Sequence, residues 1–299
     1  MTLTMFPETA RQIRPAPPRR RRRFNVTWRG INWPVTVLML AASLTILVPL
    51  YFTVVMALKT PAQVGVGTGL EWPSPVDWGN FPRAWAMVDF GRSLIVTAII
   101  TVVSVFGSII ASSMVAYAIA RNWERRLFRV CYIYLLAGMF IPFAVVVLPL
   151  IKQTSMLGLA NPGGVTIVHI VGGIAFNSLL YTAFLRSIPA ELEESARMDG
   201  ASTWQVFGKI VFPLLGPMNA TVGIFSFLAA WNDFLLPQMI IANPGLQTLP
   251  VVQNLFQGEF NTDFNLAFAS YLMALAPTLV AYILSQRWVL SGVMRGAVK

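Results

Sequence analysis

Long apolar runs alternate along this chain with short polar stretches. Six runs, at 34–58, 93–120, 130–151, 164–185, 214–241 and 267–290, are long enough to cross a bilayer, which takes about 20 residues per helix. Lipid offers the backbone no hydrogen-bond partners, so each run is read as a helix rather than an open strand. The pattern predicts an all-α membrane protein with six transmembrane helices. Pro142 and Pro149 predict kinks in the third run, because proline removes a helical N–H and crowds the preceding turn.

The polar stretch between the fourth and fifth runs has its own periodicity. It reads ELEESARMDGASTWQVFGKIVFP from Glu191 to Pro213. Ser195, Arg197, Asp199, Ser202, Gln205 and Lys209 are too polar to sit in lipid, so water or a partner must surround them. Pro189 suits a first helical turn, and Glu191, Glu193 and Glu194 crowd the positive end of that helix. Gly200 is placed for a left-handed cap. Ser202 followed by Gln205 is a capping-box pattern that opens a second helix. The stretch 186–213 is therefore predicted to be a helical hairpin, with Pro213 at the return to the membrane.

Composition agrees with the membrane reading. The chain has 299 residues, 56% hydrophobic and only 11% charged, against roughly 25% charged in a soluble domain. Mean hydropathy is +0.65. The net charge of +10 raises the question of nucleic acid, but its placement answers otherwise. Eight Lys and Arg lie in the N-terminal tail, including Arg19–Arg23, and four follow the second run. Three lie in 186–213 and three at the C-terminus, leaving Lys59, Arg83, Arg92 and Lys152 for the other side. By the positive-inside rule, both termini and the hairpin are expected to be cytoplasmic. Residues 1–29 are read as a mostly disordered basic tail that can touch anionic lipid, not as an export signal. In the loop 60–92, Trp72, Trp78, Phe81 and Trp85 suit a segment lying at the membrane interface. Gly65 to Gly69 is read as a loop rather than a dinucleotide fingerprint.

Candidate chemistry is sparse. One cysteine, Cys131, and one histidine, His169, give no disulfide and no metal cluster; packing is the expectation for Cys131. His169 has no evident acid partner in the sequence. No phosphate-binding loop of the G-x-x-x-x-G-K-[ST] type is present, so ATP hydrolysis by this chain is not expected. In the second run, Ser104, Ser108 and Ser112 recur every four residues beside Thr97 and Thr101, a stripe suited to close helix contact. In the fifth run Asn219, Ser226 and Asp233 recur every seven residues, with Trp231 and Asn232 beside Asp233. Asn177 and Tyr181 lie one turn apart in the fourth run. Tyr271, Thr278, Tyr282 and Ser285 share a face in the sixth. Two readings compete for these faces: interhelical hydrogen bonds, or a polar path for a hydroxyl-rich solute.

Motif order then gives a resemblance. Glu194-Ser195-Ala196, Asp199-Gly200, Ile210 and Phe212-Pro213 resemble the EAA motif of ABC importer membrane subunits, with Ser195 and Phe212 departing from the usual Ala and Leu. Other stretches widen the match: Ala116–Arg121, Ile188–Glu194, Trp231–Phe234, Thr248–Pro250, Gln286-Arg287 and Gly296–Lys299. From residue 93 onward the chain resembles MalG-type permeases of carbohydrate ABC importers. The resemblance implies a MetI-like core over 93–299, preceded by the tail 1–29 and a first helix and extracytoplasmic loop over 30–92. It implies a cell-membrane location in a bacterium or archaeon. It implies a second, related permease subunit, two ATPase subunits that bind ATP and Mg, and an extracytoplasmic solute-binding protein, with no cofactor on this chain. It also assigns ATPase coupling to Glu193, Glu194, Ser195, Ala196, Asp199, Gly200, Ile210 and Pro213. Glycerol-phosphate or polyol carriage is the alternative within the family. An ion-coupled secondary transporter, which would carry mid-membrane ionisable residues and inverted repeats, and a non-transporting receptor are the alternatives outside it.

Overall fold

A computed structural model describes residues 32–257 and 263–297. The expectations for the basic tail 1–29 and for the side chains of Ser285, Gln286 and Arg287 lie outside the described residues. The described elements are helical. The chain opens with α1 (Trp33–Leu58), then the short α2 (Pro61–Val64) and α3 (Asn80–Met87), then the long α4 (Phe90–Arg121). Next come α5 (Arg126–Gly138), α6 (Phe143–Met156) and α7 (Pro162–Leu185). The polar stretch folds as α8 (Glu191–Met198), α9 (Thr203–Val206), a π-helical turn (Phe207–Val211) and α10 (Phe212–Leu214). It leads into α11 (Gly216–Trp231), α12 (Leu235–Ile240), α13 (Leu249–Gln253) and α14 (Phe264–Ala297). The chain divides into two units, Met1–Val48 and Pro49–Lys299. The first holds the greater part of α1; the second holds the end of α1 and every later helix.

Among the described residues, four helices are long and apolar enough to cross a membrane unaided: Trp33–Leu58, Phe90–Arg121, Pro162–Leu185 and Phe264–Ile283. The third and fifth runs are not single helices. The third breaks into α5 and α6, bent by 102°. Pro142 causes more than the expected kink. It has extended geometry (φ −61°, ψ 134°) and stands at the N-cap of α6, where its missing N–H leaves nothing unsatisfied. Pro149 sits inside α6 without ending it. The fifth run is interrupted twice: the helix before Gly216 meets α11 at 77°, and α11 ends at Trp231. At 16 residues, α11 is about 24 Å long, short of the ~30 Å hydrocarbon core. Counting each bent pair as one passage gives up to six.

The core is built on α4, which packs along α7 and also against α11. Ser104, Ser108 and Ser112 are all buried. The predicted small-residue stripe thus serves helix contact: Ser108 faces Gly173 of α7, and Ile170 fills the space above Gly107. Thr97 joins α4 to α13 by accepting a 2.8 Å bond from the Leu249 amide. Cys131, expected to be packed, is exposed, as α5 has no buried residue; Leu127, Ile133 and Tyr134 are exposed with it. An apolar helix with an open surface is stable only against lipid or another apolar partner.

The connection before α4 is better anchored than an interfacial loop. Asn80 is fully buried. Its Nδ2 donates to the carbonyls of Ala57 (2.9 Å) and Lys59 (2.8 Å), and its Oδ1 accepts from Asn265 (2.8 Å). One amide therefore ties the end of α1, the start of α3 and the start of α14. Ala84, Val88 and Phe90 join the same core cluster as Leu249 and Phe256. Trp72, Trp78 and Trp85 remain exposed, as an interfacial reading requires. Gly65 to Gly69 forms a turn beside Glu71, whose carboxylate accepts from the Thr68 amide (2.9 Å) and hydroxyl (2.8 Å) and lies 3.6 Å from the buried Lys59 ammonium.

Candidate functional site

The stretch 186–213 folds as the sequence predicts in most details. The acidic first turn of α8 holds Glu191, Glu193 and Glu194. At its far end Gly200 takes φ +83°. The Gly200 amide bonds to the Arg197 carbonyl (3.0 Å) and the Ala201 amide to that of Ala196 (3.0 Å), the paired pattern of a left-handed helix stop. The capping box also forms: the Ser202 amide donates to Gln205 Oε1 (2.8 Å), and the Gln205 amide to Ser202 Oγ (3.3 Å). Pro189 is a departure. The helix starts later, at Glu191, with Ala190 as N-cap, so Pro189 precedes the first turn.

Of the residues to which the resemblance assigns coupling, Glu193 is buried and Ala196 half-buried. Glu193 is 1% exposed. Its Oε1 accepts from Arg121 Nε (2.7 Å), and its Oε2 from the Tyr117 hydroxyl (2.8 Å) and Arg197 Nη2 (3.2 Å). A buried carboxylate persists only with such pairing, since burying an unpaired charge is far costlier than the bonds that stabilise it. Ala196 packs inward on the cluster of Tyr117, Leu185, Val206 and Val211. Glu194, Ser195, Asp199, Gly200 and Pro213 are exposed, and Ile210 is half-buried. The outer surface carries large apolar groups that the motif does not single out: Leu192 at 48%, Met198 at 89% and Trp204 at 70% exposed. Their apolar character amid charge is the signal that the sequence offers for them. Tyr117 and Arg121 also escape the motif; they stand four apart in the last turns of α4, where a helix end can present both to one side chain.

The eight candidate path residues are not gathered into one site. Four join α7 to α11: the Tyr181 hydroxyl donates to Asn219 Oδ1 (2.7 Å), and Asn177 Nδ2 lies 3.5 Å from Ser226 Oγ. Tyr181 and Asn177 are buried, so the interhelical reading fits these four. Asp233 does not continue the face of Asn219 and Ser226, because α11 has already ended. Its Oδ1 accepts from the amides of Leu235 (3.0 Å) and Leu236 (3.3 Å), opening α12. Its Oδ2 lies 3.1 Å from His169 Nε2, so His169 does have an acid neighbour, brought to it by the break in the fifth run. Asn232 donates to the Leu228 carbonyl (2.9 Å). Asn232, Trp231, Gln253 and Tyr271 line a small cavity of about 200 Å³. Tyr282 is 58% exposed and borders a separate, mostly apolar cavity of about 840 Å³ with Asn219.

Comparison with known proteins gives this geometry its setting. Residues 108–293 match the family model described as binding-protein-dependent transport system inner membrane component. The chain is 34% identical to the multiple sugar-binding transport system permease protein MsmG of Streptococcus mutans, over 88% of this chain and 95% of that one. It is 33% identical to the melibiose/raffinose/stachyose import permease protein MelC of Bacillus subtilis, over 89% and 96%. The fold resembles a chain in the crystal structure of a bacterial ABC transporter involved in alginate import, with a TM-score of 0.73 at 24% identity, covering 85% and 94%. Several apolar passages, an ordered hairpin between them and a family match over most of the chain agree: the protein is a multi-pass membrane permease subunit belonging to the binding-protein-dependent transport system inner membrane component family.

Proposed function

We propose that this permease passes a sugar, mono- or oligosaccharide, across the cell membrane as part of an ATP-driven importer. The relatives MsmG and MelC carry sugar names and match nearly end to end, and this is the observation that carries the substrate class. As a permease subunit of its family the chain is a transport component and not an enzyme. ATP and Mg belong to two separate ATPase subunits, and a solute-binding protein delivers the cargo on the opposite side. The charge pattern supports cytoplasmic termini and a cytoplasmic hairpin, which sets α8 and α9 where an ATPase can reach them.

In this reading the exposed Leu192, Met198 and Trp204, flanked by Glu194 and Asp199, form the face that meets the ATPase. A large apolar group among charges is the composition of an interface centre with a polar rim. A second, related permease completes the translocation path, consistent with the open apolar surface of α5. Growth of a strain lacking this gene on single carbon sources tests the substrate class. Loss of growth on one or more sugars, restored by the gene, is expected. Loss on glycerol phosphate with every sugar unaffected would move the protein to the alternative substrate class.

A further inference from the structure

The buried Glu193 cluster does more than the hairpin fold requires. A cap, a capping box and an apolar base already fix α8 and α9 locally. Glu193 reaches out of the hairpin to α4, the helix that packs along both α7 and α11. Arg121 closes the connection a second time, its Nη2 donating to the Ile188 carbonyl (3.3 Å) just before α8. Arg197, four residues after Glu193 on α8, donates both to the carboxylate (3.2 Å) and to the Tyr117 oxygen (3.3 Å). Three donors converge on one carboxylate, and two of them belong to the last turns of α4. Phe207 adds a ring contact to Tyr117, centroids 5.2 Å apart. A guanidinium fork and a fixed hydroxyl resist both sliding and rotation in a way that apolar contact does not.

We propose that Tyr117 and Arg121 are positioning residues that bolt the hairpin to α4 through Glu193, so that hairpin and α4 travel as one body when the ATPase moves. The inference rests on the coupling role of the hairpin, and it adds the path by which displacement enters the membrane. Arg121 sits 18% exposed and Glu193 1% exposed in their ion pair, which shields the pair from the salt screening that weakens surface pairs.

The test is a distance measurement in the assembled complex. Cys131, being exposed, is first replaced by Ser. Spin labels are placed on Ser195→Cys, outside α8, and Ile110→Cys, outside α4. Electron–electron resonance then compares the nucleotide-free complex with one trapped by ATP and vanadate. The native pair should give one narrow distance, unchanged by trapping. Tyr117→Phe, which removes only a hydroxyl, and Arg121→Lys, which keeps the charge but loses the fork, should each lose the single narrow peak and give a distribution broader than the native one, because the bond network is opened at one member. A shift of the native distance on trapping, or variants as narrow as the native pair, would overturn the proposal. Broadening does not depend on ATPase docking, so a variant that docks poorly still decides it. Failure of the coupling role itself has a different signature: Met198→Asp on the outer face would then leave ATPase docking unchanged.

Discussion

At the scale of single residues, the side chains divide by whether a partner is supplied from within the chain. Tyr181 and Asn219 satisfy each other across α7 and α11 at 2.7 Å, so Tyr181→Phe should cost about 1 kcal/mol of stability, the net worth of one such bond. Thermal unfolding in detergent measures this, and sugar uptake should persist. Abolished uptake by a normally assembled Tyr181→Phe complex would place this hydroxyl on the solute path instead. Glu71 gives a pH prediction. The Thr68 amide first, then its own amide, the Thr68 hydroxyl and Lys59 favour the charged form and hold its pKa down to about 2 from 4.5. A lowered folded pKa adds stability above the unfolded value that disappears as pH falls toward the folded one. The turn 65–71 should therefore become more open to pepsin between pH 4.5 and about 2, and Glu71→Gln should remove that pH dependence. An identical pH profile for the variant would show that the carboxylate does not hold the turn.

At the scale of elements, local rules written in the sequence are legible and long-range ones are not. The helix stop at Gly200, the capping box of Ser202 and Gln205, and the small-residue face of α4 all follow from spacing within a few residues. The break at Pro142 is legible only as a kink, and the one at Asn232–Phe234 is hidden inside a long apolar run, because hydropathy does not register backbone direction. Period-seven spacing puts Asp233 on a face that the helix does not reach. For the same reason the contacts His169–Asp233 and Glu193–Arg121 are invisible in the sequence: each joins residues more than sixty positions apart. The inward turn of Ala196 and Glu193 depends on the rotation of a short helix, which only its packing on Tyr117 and Val206 sets. At Gly200 a Cβ would meet nothing within 4 Å, so strain is the sole penalty. Gly200→Ala should therefore loosen α8 by about 1–2 kcal/mol. Hydrogen exchange of the amides 195–201 measures it, and unchanged protection would contradict the cap.

At the scale of the whole molecule, a membrane core built on α4 carries a hairpin that exposes Leu192, Met198 and Trp204. Orientation is open to direct labelling: with Cys131 replaced, Ser195→Cys and Trp78→Cys should react with an impermeant maleimide from opposite sides of the membrane. Reaction of both from the same side would overturn the charge-based topology. Co-purification tests most directly whether the hairpin's outer face receives the ATPase. Met198 is 89% exposed, so Met198→Asp leaves the membrane fold undisturbed while placing an unpaired charge in the proposed interface. Such a charge costs about 2–5 kcal/mol when a partner must desolvate it, or roughly thirtyfold or more in affinity. The variant should insert and pair with its partner permease normally but retain little ATPase through purification. Native amounts of ATPase on the Met198→Asp complex would contradict a docking role for this face.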